Sequence, residues 1–276
     1  MPMRKLEYVS GTGSIHVQLD ADGVFAGTAA AIRGRAWSYT VDYRSLSGIS
    51  RDARECDIEL KVLDRARANT LRRVADRDMM EGTPGTIIAD GWSQRAYIVK
   101  AEPSGINEVV VTMTLTVVLL DGVWRKPHTV EYLPLTVSAD SYEYLDLPYD
   151  LPYDLGIPLT TSFIEAGEWL ESPVKLTVYG TAVNPAIRIG ENWYKVDATV
   201  PEGGYMTIDP ISRTVTITDA DGAVTDAFAK AHRGSGLGSG EYIFEPLPTG
   251  SHEVAWDMSF GFDLTWYEEE GEPPWC

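Results

Sequence analysis

The sequence predicts a mainly β protein in two units, the first carrying a single α-helix and the second built as a β-sandwich or jelly roll. Three observations predict this class. Apolar residues recur at every second position in short runs over most of the 276 residues. Only residues 64–78 change to helical spacing. The charge balance also breaks in the middle of the chain, just before a proline-rich repeat.

The first unit opens with "SIHVQLDADGVFAG", two runs joined by Asp22-Gly23, a strong hairpin signal because both turn residues must accept positive φ. In "WSYTVDY", Trp37, Tyr39, Val41 and Tyr43 share one face, and in "DIELKVL" Ile58, Leu60 and Val62 do the same, so both read as half-buried strands. "DRARANTLRRVADRD" is the helix: Asp64 caps it, Ala68, Leu71 and Ala75 form its apolar stripe, and Arg65, Arg67, Arg72, Arg73 and Arg77 occupy the other faces. After the turn at Pro84-Gly85 come "RAYIVKA" and a long run, Val109 to Leu120, in which Thr112, Thr114 and Thr116 alternate with Met113, Leu115 and Val117. The repeat "LDLPYDLPYDLG" follows at 145–156. Its period of four is not helical, because Pro148 and Pro152 each remove a donor and push the preceding residue out of the α region. It reads as a connector.

Beyond the connector, "PVKLTVYG", "AIRIGENWYKV", "YMTID", "RTVTIT", "EYIF", "HEVAW" and "FGFDLTW" are short alternating runs separated by Gly, Pro, Asn and Asp, the pattern of a sandwich. In the last run Phe260, Phe262, Leu264 and Trp266 share a face. "EEEGEPPWC" is too charged and proline-bound to extend that strand and is expected to be a surface tail.

Residues 1–139 hold 17 basic and 17 acidic side chains, whereas residues 140–276 hold 6 against 24, so the whole net charge of −18 lies beyond Ala139. An acidic half and a neutral half disfavour nucleic-acid phosphates and anionic membrane surfaces. Asp64, Asp76 and Asp78 offset part of the charge on the Arg-rich helix, which reads as a solvated or subunit-pairing face. The start "MPMRKLEYVSG" has no apolar run behind its basic residues, and residues 109–120 are far short of a membrane span, so a soluble protein made in the cytosol is expected. Cys56 and Cys276 give no disulfide framework and no metal spacing; a bond between them stays open.

No motif specifies chemistry. The glycines of "GSGLGSG" at 234–240 fall at every second position with no Lys-Ser or Lys-Thr behind them, so a flexible loop is favoured over a phosphate cradle. "DADG" at 20–23 and 219–222 has its Gly fourth rather than sixth, which favours hairpin turns over calcium loops. Glu165, Glu168 and Glu171 beside Trp169 resemble a glycosidase acid/base pair with an aromatic platform, but proximity among 24 acidic residues is expected by chance. His16, His128, His232 and His252 are scattered, and no nucleophile elbow occurs; catalytic residues, cofactors and metals are not expected.

The order of "YTVDYRSLSGISRDARECDIEL", the connector, Asn184-Pro185, "TIDPISRTV" at 207–215, "DAF" at 226–228, "PLPTGSHEV" at 246–254 and "FDLTWYEEEGEPPW" resembles the distal tail proteins (Dit) of long, non-contractile-tailed bacteriophages and prophages. The resemblance covers most of the chain. It implies a belt domain at 1–139 that closes into a hexameric ring, a connector at 140–162, and a galectin-like β-sandwich at 163–276. It further implies a structural hub of the virion tail tip, made in the host bacterial cytoplasm, with the tail tube protein, the tape-measure protein and tail-associated or receptor-binding proteins as partners. Pro148 and Pro152 would keep the connector extended, with Tyr149 and Tyr153 available to pin it. A ring needs strand edges or apolar patches that recur on every subunit. Trp37 and Tyr39, and Thr112, Thr114 and Thr116, are the candidates for that seam, since their strands are aromatic or long enough to offer more than a single core needs. A carbohydrate-binding module on the same sandwich, acting in host attachment, is the rival function, and a glycoside hydrolase the third.

Overall fold

The computed structural model describes residues 5–134 and 162–274. The molecule is mainly β, with one α-helix among the described residues. The chain divides into two compact units, one comprising Met1–Lys126 and Glu269–Cys276, the other Pro127–Glu268. The division falls at 126/127 instead of 139/140, and the residues after Glu268 belong with the first unit. Residues 140–161 of the expected connector, with Pro148, Tyr149, Pro152 and Tyr153, lie outside the described residues.

In unit 1 an antiparallel sheet runs in the order Asp20–Ala21, Val24–Phe25, Arg54–Val62, Val111–Leu119, Trp92–Ile106, Gly85–Ala89, Leu6–Val9, His16–Gln18. The turn Asp22-Gly23 has φ of 54° and 84°, as a two-residue primed turn requires. Asp90-Gly91, at 51° and 89°, makes the same turn between Gly85–Ala89 and Trp92–Ile106. Pro103 fits inside Trp92–Ile106 because the register against Val111–Leu119 shifts there, which removes the need for its missing donor.

The helix spans Arg65–Glu81. The Asp64 carboxylate accepts from the amides of Ala66 (2.9 Å) and Arg67 (3.3 Å), and Gly82 ends the helix at φ 65°. It runs three residues past the expected end and adds Val74 to the stripe of Ala68, Leu71 and Ala75. These pack with Ile58, Leu60, Val62, Ile87, Leu115 and Val117 in one core, each larger aliphatic side chain contributing about 1.5–3 kcal/mol on burial. Asp78 enters the core from the last turn, and the buried Tyr8 hydroxyl donates to it at 2.8 Å. Burial, then that bond, pushes the Tyr8 phenol upward.

In unit 2 two antiparallel sheets face each other across a second core. One runs Val224–Asp226, Thr214–Thr218, Tyr205–Asp209, Val174–Tyr179, Phe262–Glu270; the other runs Ser162–Ala166, Gly250–Ala255, Ala186–Ile189, Asn192–Lys195. Phe260, Phe262 and Leu264 are buried and Trp266 is half-buried. Tyr132, Trp256 and Phe262 form a three-ring cluster with centroids 4.7–5.2 Å apart. The charged tail does not stop the last strand: it continues to Glu270, and Pro273 beyond it is buried, so the expected surface tail is part of the folded unit 1.

Candidate functional site

"WSYTVDY" forms a strand, Ser38–Val41, but not a half-buried one. It pairs only with Leu46–Ser50, in a two-stranded hairpin closed by the Asp42 amide on the Ser45 carbonyl at 2.9 Å. All nine strand residues are exposed. The register shifts between Ser38 and Thr40, where Gly48 takes φ 59°, so Tyr39 faces the Gly48-Ile49 bulge and Val41 faces Leu46. One ribbon face therefore carries Tyr39, Val41, Leu46 and Ile49, with Trp37 leading into it. Tyr43 at the loop is 91% exposed, Tyr39 56% and Trp37 45%.

Two guanidiniums lie over this aromatic surface, Arg51 4.3 Å from the Trp37 ring centre and Arg44 5.1 Å from that of Tyr43. At the base, the Ser38 and Ser50 hydroxyls hold the Asp52 carboxyl below its ordinary value. A two-stranded ribbon is marginal in water. Among the described residues this one leaves its apolar side chains uncovered.

The other seam candidates fare differently. Val111–Leu119 lies inside the sheet, paired on one side to Arg54–Val62 and on the other to Trp92–Ile106, so neither edge is free. Thr116 is buried, and its hydroxyl donates to Asp57 at 2.6 Å. Thr112 and Thr114 are half-buried on the face opposite the core residues Met113, Leu115 and Val117. The nearby exposed apolar residues are Ile106 and Val109, at the tip of the adjoining hairpin.

In unit 2, Glu165 and Glu168 line an open cleft of about 580 Å³ with His128, Trp266 and Glu268. Glu171 and Trp169 are not among its lining residues. His128 stacks on Trp266 at 5.5 Å and pairs with Glu268 at 3.1 Å, so one of the three carboxylates already has a partner. A second groove, of about 610 Å³, includes Gly238–Gly240 of the glycine loop. There the Gly238 amide donates to both Glu245 oxygens at 3.0 Å, so an internal carboxylate occupies the place of an anion. Both "DADG" segments sit in hairpin turns, between Asp20–Ala21 and Val24–Phe25 and between Thr214–Thr218 and Val224–Asp226. The other three histidines bond separately: His16 to Glu7, His232 to Asp197, His252 to the Pro248 carbonyl. Among the described residues no group of three or more His, Cys, Asp or Glu is placed to hold a metal ion.

Sequence reasoning placed Trp37 and Tyr39 on a surface but missed Leu46 and Ile49, which complete it. The available signal was "SLSGIS", a second strand following at once on the first.

No protein-family model and no curated protein matches the chain. Solved structures do. The Dit protein (gp 19.1) of phage SPP1, described as a paradigm of the hub adsorption apparatus in phages infecting Gram-positive bacteria, aligns at a TM-score of 0.52 with 11% identity, over 96% of this chain and 99% of that one. A chain of the phage P2 baseplate in its activated conformation with Ca aligns at 0.62 with 9% identity, over 98% and 100%. The same baseplate with Sr gives 0.60 and 9%, over 98% and 99%. The chain has the fold of these phage hub and baseplate proteins along nearly its whole length.

Proposed function

We propose that this protein is a structural hub of a phage tail tip, six copies of which close a ring through unit 1 and join the tail tube to the rest of the adsorption apparatus. The observation that carries the ring is the exposed ribbon. Among the described residues its aromatic and aliphatic side chains have no cover, and a neighbouring copy supplies one by a contact that repeats around a closed rotation. The likeness to hub and baseplate proteins over 96–98% of the chain supports the tail role. On this reading the tail tube and tape-measure proteins meet the ring. Unit 2, a galectin-like sandwich, serves the tail-associated and receptor-binding proteins.

The charge distribution fits. Residues 1–139 are neutral overall and pack together without a Coulomb penalty, while the −18 carried by residues 140–276 keeps six copies of the second half from collapsing on each other. On this reading the role is structural, in keeping with the hub and baseplate proteins that share the fold.

Light scattering on the purified chain, at low and at physiological salt, tests the ring. A species near six times 30.4 kDa is expected. A strict monomer at every concentration and salt would sink self-assembly through unit 1.

A further inference from the structure

Arg33 is 6% exposed, and its guanidinium joins three parts of unit 1 that are remote in sequence. It donates to the carbonyls of Pro274 (2.8 Å) and Pro273 (3.3 Å), and to Asp90 Oδ2 (3.1 Å). Asp90 in turn holds the residue just before the first strand through side chain and backbone: its Oδ1 accepts from the Lys5 amide at 3.1 Å, and its amide donates to the Lys5 carbonyl at 2.9 Å.

A second anchor holds the same segment. Arg125 Nε donates to Glu269 at 2.7 Å and its Nη1 to Asp121 at 3.0 Å, and Asp121, with only 4% of its side chain exposed, also pairs with Arg95. Between the anchors Gly271 runs beside the Arg35 side chain, and Pro273 is buried. Removing residues 269–274 would strip a buried guanidinium of two acceptors and a half-buried one of a carboxylate. Each guanidinium would keep one carboxylate, Asp90 or Asp121, but buried donors left without their acceptors cost desolvation that the docked segment had offset.

We infer that residues 269–274 are a clasp on unit 1, so that this unit is complete only when a segment synthesised after the whole of unit 2 has docked. Residues 5–126 leave the ribosome first but reach their final stability last. On the ring reading above, the unit that assembles reaches its full stability only after the second unit has been made.

Hydrogen exchange on the full chain, on a chain stopped after Glu268, and on full-length Arg33→Met tests the clasp. Both changes are expected to raise amide exchange in Leu6–Val9 and Gly85–Ala89 by at least about tenfold, as loss of local stability does. Val174–Tyr179 and Tyr205–Asp209 of unit 2 are expected to keep their protection. Unchanged protection in unit 1, or equal loss in both units, overturns the inference. Should the stopped chain fail to fold, Arg33→Met is judged by the same criterion. Oligomer mass is read separately: a monomeric wild type would remove the ring and leave the exchange result untouched.

Discussion

Replacing Tyr39 and Tyr43 by serine tests the ribbon as a seam. Each tyrosine presents roughly 200 Å², so exposures of 56% and 91% leave about 110 and 180 Å² available to a neighbour. At about 25 cal/mol per Å², complete burial would be worth roughly 7 kcal/mol for the pair. Ordering the ribbon and desolvating the hydroxyls take back much of this, so a loss of about 2–4 kcal/mol per seam is expected, a 30- to 1,000-fold weaker contact. The subunit should hardly notice, because exposed side chains change stability by within about 0.5 kcal/mol. Mass photometry over a dilution series, beside a thermal melt of each variant, separates the two effects. A variant that assembles at the wild-type concentration refutes the seam, and one that melts early shows that the ribbon serves the subunit's own fold.

Three further predictions concern the two units separately. A Cβ at Gly85 would overlap the buried Tyr8 hydroxyl and ring, so Gly85→Ala should cost about 1–3 kcal/mol in urea unfolding, and an unchanged midpoint would contradict the packing around Asp78. Tyr8 and Tyr194 are raised, chiefly by burial, and Tyr179 is pushed up to about 12, first by its hydrogen bond to Asp263. In each the folded state favours the neutral phenol. The stabilisation is therefore complete below the unfolded value near pH 10 and lost as pH rises through the folded values; urea midpoints that do not fall between pH 9 and 11.5 would contradict it. Glu165→Gln, Glu168→Gln and Glu171→Gln together should leave bacterial wall-sugar turnover at the wild-type background, and any activity abolished by the triple change would revive the glycosidase reading.

The elements were legible where pattern and local chemistry agree. Asp64 followed by Ala68, Leu71 and Ala75 announces both a cap and a face, and the structure places all of them accordingly. Phe260, Phe262 and Leu264 alternate because one side of their strand is buried. The same alternation misled at Trp37–Tyr43, since period two reports that one face avoids water without saying whose core receives it. Thr112–Thr116 looked available because a strand's neighbours cannot be read from its own residues; the flanking ladders take both edges. The tail was misread for a related reason. Its charges and prolines suit solvent, and contacts with distant residues such as Arg33 and Arg125 make it part of unit 1.

The chain passes from unit 1 to unit 2 along Trp124–Tyr132 and comes back along Phe262–Glu270. A pull applied between the two units is therefore borne by one covalent crossing and, beside it, by the non-covalent contacts that hold residues 269–274 to the rest of unit 1. A protease that severed the first crossing would release residues ahead of the cut from the covalent chain, and the hydrogen bonds and ion pairs of residues 269–274 would be what still held them.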